Sequence, residues 1–363
     1  MQLSHRQKVA FTAVFVVSVI IILLGLAEGG MRLRQWLVQG HSGKLSDFFE
    51  LQDGLRVLRP DTRTRTISIN SLGFRGPPLT QPKPAGNLRI AFLGASTTFC
   101  AEVSSDDMTW PYLVTKAIQE AYPEIPVDYV NAAAPGYTVK ASLLNFRRRV
   151  TLLRPDVTII YHATNDLSWE TRTLAVEQGV YETGKEKKNS WLAEHLQLWY
   201  LVEKNLSIRE AQKNASDARK QLEFSASRLG GHFRQHLTRL VEEAKTVSAV
   251  VALVTFSYQM RSEQTPEQQL KAAASALYYM PFMDPQGLMD AFTRYNRIIV
   301  EVARETGAIL IEGEGMIPAD SEHYNDTVHF KDAGSRIMAR RVSEALLDTR
   351  AFTVLAAAKQ KEK

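Results

Sequence analysis

Five short apolar runs recur along the chain after residue 87, at 88–93, Val127–Asn131, 157–162, 250–256 and 308–311. They are rich in Val, Ile, Leu and Phe and too short for core helices, which predicts buried strands. Between them the apolar residues fall three and four apart. That spacing predicts helices over Trp110–Ala121, 142–153, 232–245 and 288–305, with another over 334–347 after the last strand. Strands alternating with helices predict an α/β domain around a mostly parallel sheet of about five strands, covered on both faces.

A different pattern opens the chain. From Val9 to Ala27 there is no charged residue, and the run is long enough for one crossing of a hydrocarbon core about 20 residues thick. It also exceeds the roughly 7–15 residues of a signal-peptide core, so a retained transmembrane anchor is expected rather than a cleaved leader. His5, Arg6 and Lys8 precede the run, favouring a cytoplasmic amino terminus against the counterweight of Arg32 and Arg34. The remainder is then extracytoplasmic, and periplasmic in a Gram-negative bacterium.

The expected organisation is a stub and anchor (1–27), a juxtamembrane connector packing on the main domain (28–87), a catalytic domain (88–350) and a charged tail (351–363) whose end, Lys359 to Lys363, is expected to fray. Two segments, 168–231 and 261–287, interrupt the alternation. Insertions of that size on the loop side of a sheet are expected to serve as substrate wall or lid, as membrane or partner contact, or as elaboration. The net charge of +5 is spread among acidic residues, without the basic stripe that nucleic-acid binding requires. Cys100 is the sole cysteine, so no internal disulfide forms. Protein partners are left open.

Ligands of an open parallel sheet bind beyond the carboxyl ends of its strands. Ser96 follows the first strand, Gly136 the second, Asn165 and Asp166 the third, and Asp326 and His329 the fifth. That is the inventory for acyl transfer. A serine hydroxyl is a weak nucleophile that needs an imidazole to take its proton, and the imidazole needs an acid to orient it. The tetrahedral oxyanion needs fixed donors, for which the Ser96 and Gly136 amides and the Asn165 side chain are candidates. Thr97 and Asp166 are expected beside the substrate. For Arg75, in the turn Asn70-Ser71-Leu72-Gly73-Phe74-Arg75-Gly76, structural packing is the first reading and a place at the border of the site, meeting an anionic or carbonyl group of the substrate, is the alternative. Neither HExxH nor a comparable metal-ligand spacing, nor a Gly-rich phosphate loop, occurs, so neither metal nor cofactor is expected.

Gly94-Ala95-Ser96-Thr97-Thr98, Gly136 in Ala-Pro-Gly-Tyr, Asn165 in Ala-Thr-Asn-Asp and Asp326-x-x-His329 resemble, in order and spacing, four conserved blocks of the SGNH (GDSL-type) hydrolases. The resemblance covers about residues 88–347. It implies a three-layer α/β/α, flavodoxin-like fold, with Ser96 as nucleophile, Asp326 and His329 completing the triad, and Ser96, Gly136 and Asn165 as oxyanion-hole donors. The turn at 70–76 is similar to one preceding the catalytic domain in membrane-anchored bacterial relatives. Two positions depart from the family pattern. Ala95 stands where an aspartate is usual and Ala163 where a glycine is usual, and neither removes a catalytic group.

The expected function is a serine esterase that hydrolyses or transfers an acyl group, acetyl first, on an extracytoplasmic carbohydrate. A lipase, lysophospholipase or thioester hydrolase is the alternative within the enzymes, since the apolar segment 277–283 suits a lipid substrate. A non-catalytic glycan-binding or assembly component of a polysaccharide export system is the alternative of another class.

Overall fold

The computed structural model describes residues 4–39, 48–182, 190–215, 222–223 and 225–362. An amino-terminal hairpin pairs β1 (Phe49–Gln52) with β2 (Leu55–Leu58), antiparallel. The main sheet comprises β3 (Leu88–Gly94), β4 (Val127–Asn131), β5 (Val157–Tyr161), β6 (Val250–Val254) and β7 (Ile309–Ile311). Every residue of β3, β5 and β6 is buried, as central strands covered on both faces must be. All pairings in this sheet are parallel, in the order β4-β3-β5-β6-β7.

This is the flavodoxin-like order 2-1-3-4-5, which reverses direction at its first strand. The switch point lies between β3 and β5, where Gly94 pairs with Tyr161 at the carboxyl ends. At the opposite end Arg89, fully buried, closes the sheet through two 2.7 Å bonds to the Asp128 carboxylate and one of 3.0 Å to the Thr80 carbonyl.

The helices are α1 (His5–Gln39), α2 (Ser96–Phe99), α3 (Trp110–Ala121), α4 (Val139–Asn145), α5 (Thr164–Glu177), α6 (Trp191–His195), α7 (Gln197–Asn214), α8 (Gly231–Lys245), α9 (Pro266–Ala272), α10 (Ala274–Tyr279), α11 (Pro285–Thr306), α12 (Asp332–Leu347) and α13 (Arg350–Lys361). Helices α3 and α12 pack together on one face of the sheet, and α4, α8 and α11 on the other. The result is the expected three-layer α/β/α sandwich. Its amphipathic helices bury their apolar stripes, as in α11, where Leu288, Phe292, Tyr295, Ile299 and Val302 face inward. Over 142–153 the expected single helix is instead α4, a wider π turn at Phe146–Val150 and a 3-10 turn at Thr151–Leu153.

Three features differ from the sequence reading. Helix α1 continues past the apolar run to Gln39, and it is long and apolar enough, by length and composition, to cross a membrane. The connector holds ordered structure. Leu55, Val57, Leu58, Ile67 and Ile69 form a second apolar cluster with Ala95, Phe99, Ala133, Ala134 and Tyr137, so this segment underlies two of the loops at the carboxyl edge.

The charged tail forms helix α13, which runs to Lys361 and so takes in part of the end expected to fray. Phe352, Leu355, Ala356 and Lys359, spaced as one helical stripe, are buried, and the Lys359 ammonium reaches Asp156 at 3.1 Å. Burying one such aromatic contributes about 1.5–3 kcal/mol, enough to hold a short helix in place. Of the insertion at 168–231, residues 183–189, 216–221 and 224 lie outside the described residues.

Candidate active site

Ser96 is the first residue of α2, directly after β3. The turn is tight because Gly94 has no side chain: a Cβ there would lie 2.0 Å from Thr98 Oγ1 and 3.0 Å from the Tyr161 carbonyl. A helix of one turn has little stability of its own. Side chains from elsewhere hold this one by its carbonyls. Trp110 Nε1 donates to the Thr97 carbonyl at 3.1 Å, Asn131 Nδ2 to that of Thr98 at 3.0 Å, and Arg75 Nη1 to those of Phe99 and Cys100 at 2.6 and 2.7 Å. Cys100 ends the helix in the left-handed region at φ 61°. Ala95, in the position of the family's aspartate, is buried in the second apolar cluster, so packing and this ring of donors brace the turn instead.

Asp326 and His329 lie on the loop between β7 and α12. His329 Nε2 is 2.8 Å from Ser96 Oγ, and Nδ1 is 2.9 Å from both Asp326 carboxylate oxygens. Asp326 Oδ1 also accepts the Val328 and His329 amides at 3.0 Å, so the acid shapes the loop that presents the base. Between them Thr327 is buried and anchored outward. Its hydroxyl donates to the Ala272 carbonyl at 2.7 Å and accepts from Ser275 Oγ at 2.9 Å, while its carbonyl accepts from the Gln259 amide at 2.8 Å. The insertion at 261–287 therefore buttresses the Asp-His loop.

Gly136 sits in the turn Ala134-Pro135-Gly136-Tyr137, closed by the Tyr137 amide on the Ala134 carbonyl at 3.1 Å. Its φ of +85° after a proline suits a type II turn, where glycine is required. Asn165, in the first turn of α5, donates through Nδ2 to the Tyr137 carbonyl at 2.9 Å, tying the second and third strand-end loops together. An amide nitrogen has two protons, so one N–H remains. Ala163, where the family has glycine, adopts φ −167°, outside the left-handed region that favours glycine.

The three residues considered for the substrate side are all buried. Arg75 is 1% exposed and directs its guanidinium to Asp106 at 2.8 Å, the Thr66 carbonyl at 2.8 Å and the end of α2, so it clamps the helix that carries Ser96 from behind. Thr97 is buried beneath the turn. Asp166 is buried as well, and both its carboxylate oxygens accept the Val139 amide at 3.1 Å at the start of α4. Burial and the neighbouring Glu170 outweigh that hydrogen bond and push the Asp166 pKa up to about 8.

Two residues were missed in the sequence. Glu102, just past α2, buries its Oε2 with no hydrogen-bond partner among the described residues, close enough for its charge to act on His329 and Asp326. Burial raises the Glu102 pKa. For His329 burial pulls the pKa down, but the Asp326 hydrogen bond and the charges of Glu102 and Asp326 prevail and lift it to about 9. Nothing local marks Glu102, since only the tertiary fold brings it to His329. Arg56, on β2, donates to the Pro135 carbonyl, and its own carbonyl accepts the Tyr137 hydroxyl at 2.6 Å. A Cβ on Gly136 would lie 2.6 Å from its guanidinium, so the hairpin borders that turn.

A parallel sheet in this order, with serine, histidine and aspartate joined beyond its switch point, defines a three-layer hydrolase. The chain belongs to the GDSL-like lipase/acylhydrolase family, whose model matches residues 92–337, more than half of its length, and it is a serine ester hydrolase of that family. Among solved structures it is similar to an acetylxylan esterase from Geobacillus stearothermophilus at 19% identity and a TM-score of 0.45, covering 73% of this chain and 95% of that one. It is also similar to an alpha/beta hydrolase enzyme from the metagenome of Lake Arreo, Spain, at 14% identity and a TM-score of 0.44, covering 71% and 94%. No curated protein matches the chain.

Proposed function

We propose that the protein is a membrane-anchored, extracytoplasmic esterase that removes or transfers an acyl group, most readily acetyl, on a carbohydrate. In this reading Ser96 is the nucleophile, His329 the general base and acid, and Asp326 the acid that orients the ring. The observation that carries it is the continuous line of hydrogen bonds from Ser96 Oγ through both ring nitrogens of His329 to Asp326. Helix α1 supplies the anchor, and its apolar side chains are exposed along the whole run.

Ser96 Oγ attacks the ester carbonyl carbon while its proton passes to His329 Nε2. The charge that forms on the carbonyl oxygen is held by the Ser96 amide, unpaired within its helix, by the Gly136 amide and by the second N–H of Asn165. Asp326 stabilises the imidazolium. The ring then protonates the departing sugar oxygen, leaving an acyl-serine. Water, or a sugar hydroxyl in the transfer case, loses its proton to His329 as it attacks the acyl carbon; the acyl–Oγ bond then breaks and Ser96 Oγ takes the proton back from His329.

Ser96→Ala in the full chain is expected to cut acetate release from an acetylated polysaccharide by at least about 10⁴-fold while the circular dichroism spectrum is unchanged. Retention of activity in the folded variant would remove Ser96 from the chemistry. A strong preference for long-chain over acetyl esters in the unmodified enzyme would overturn the carbohydrate assignment in favour of a lipid.

A further inference from the structure

Helices α6 and α7 are the part of the fold that the chemistry leaves unexplained. Their outer surface is apolar and open, with Trp191 68% exposed and Leu192, Leu196, Trp199 and Val202 each about two fifths exposed. A soluble surface seldom presents such a run, and exposed clusters of this kind mark contact sites.

The depth of this surface relative to α1 is fixed by hydrogen bonds. The Gln197 and Leu198 amides, at the start of α7, donate to the Glu28 carboxylate at 3.0 and 2.9 Å, and Arg32 donates to the His195 carbonyl at 2.6 Å. Glu28 is the first residue after the apolar run of α1. That run spans about 28 Å at about 1.5 Å per residue, close to the thickness of a hydrocarbon core of about 30 Å. Glu28 therefore lies at the boundary between hydrocarbon and headgroups, and α6 with the start of α7 lies at that depth beside it.

Tryptophan with aliphatic neighbours is the composition that this boundary selects, because an indole has a large apolar face and one N–H to keep wet. We propose that the outer face of α6 and the first turns of α7, centred on Trp191, Leu192, Leu196 and Trp199, seats in the lipid interface next to α1. The inference rests on reading α1 as a membrane anchor.

The seat has a consequence for the site. Helix α7 packs on α10, and α10 holds Thr327 between Asp326 and His329 through Ser275 Oγ and the Ala276 amide. Seating α7 in the interface therefore ties the Asp-His loop to the membrane through two packed helices.

The test uses the full chain in vesicles of phosphatidylcholine and phosphatidylglycerol, with an environment-sensitive fluorophore at single introduced cysteines. Cys100 is buried, and burial pushes its pKa up to about 12, so it stays unlabelled. Probes at Leu192→Cys and Leu196→Cys are expected to be quenched by spin-labelled lipid and shielded several-fold from iodide, compared with a probe at Val354→Cys on exposed α13. Iodide reaching positions 192 and 196 as readily as 354 would overturn the seat. So would shielding from both quenchers, which would mean that protein covers the face. A fourth probe, Ile20→Cys, separates the two readings. Lipid quenching there with iodide access at 192 and 196 defeats the seat alone, whereas iodide access at position 20 defeats the anchor and the seat with it.

Discussion

Two carboxylates act on the His329 ring, and at the scale of single residues that decides its pH behaviour. Asp326 bonds to Nδ1, while Glu102, whose Oε2 has no partner among the described residues, acts on the same ring through its charge. Both charges favour the imidazolium, which is why the ring holds its proton to about pH 9 against the pull of burial. A protonated ring cannot accept from Ser96 Oγ, so kcat/KM is expected to rise with pH toward that value. Glu102→Gln removes one of the two charges and leaves the Asp326 bond. Its expected effect is to move the acidic limb of kcat/KM to lower pH, raising activity near neutrality while the alkaline plateau changes little. A pH–rate profile of the two enzymes on a short acyl ester checks this, and an unmoved limb with a lower plateau would make Glu102 a packing residue only.

At the scale of elements the one-turn helix α2 is the clearest case of structure imposed from outside. Arg75 reaches it from the turn at 70–76, which Asn70 builds by accepting the Leu72 and Phe74 amides at 3.0 and 3.1 Å. Arg75→Met keeps the bulk but strands the Asp106 carboxylate and the α2 carbonyls. Leaving the partly buried Asp106 carboxylate and the buried α2 carbonyls without their donor is expected to cost about 1–3 kcal/mol, seen as a lower denaturant midpoint. Activity should fall as well at temperatures where the variant is folded, because the clamp positions the residue that carries Oγ. Normal activity in a destabilised variant would limit Arg75 to stability.

The same element shows what the sequence could and could not tell. The strands were legible because central parallel strands must be apolar on both faces, and Ser96, Asp326 and His329, which stand out by order and spacing, are brought into one line of hydrogen bonds. Packing and substrate contact both stay open for Arg75 in the sequence, because an arginine in a glycine-bracketed turn reads the same from either side of the loop. For Asp166 the first-turn position gives no hint that its carboxylate turns inward to Val139. The hairpin left a mark that went unread: Asp53-Gly54, with both φ positive at 49° and 78°, is the signature of a tight two-residue turn. In α13 the stripe from Phe352 to Lys359 was masked by the run of charges that ends the chain.

At the scale of the whole molecule, stability and activity are expected to run in opposite directions with pH. The Asp166 pKa rises from 3.8 to about 8 on folding because burial disfavours its charge, and that of His329 rises from 6.5 to about 9. A raised folded pKa contributes stability that is fully present below the unfolded value and lost as pH climbs through the folded one. Asp166 therefore withdraws stability between about pH 4 and 8, and His329 between about pH 6.5 and 9, the range in which the ring becomes a competent base. Asp326 works on the acid side: its pKa is lowered, since the His329 bond outweighs burial, and its contribution is lost only as pH falls below the ordinary carboxylate range. The fold is thus expected to be firmest in mildly acidic solution and to loosen toward the pH that favours turnover. Asp166→Asn separates the two contributions. The asparagine is neutral at every pH and can still accept the Val139 amide, so its Tm relative to the unmodified protein should climb steadily from pH 5 to pH 8, whatever the offset at pH 5. Parallel Tm curves over that range would mean that Asp166 ionises in the folded protein as freely as in the unfolded chain, and the pH dependence would then fall to His329.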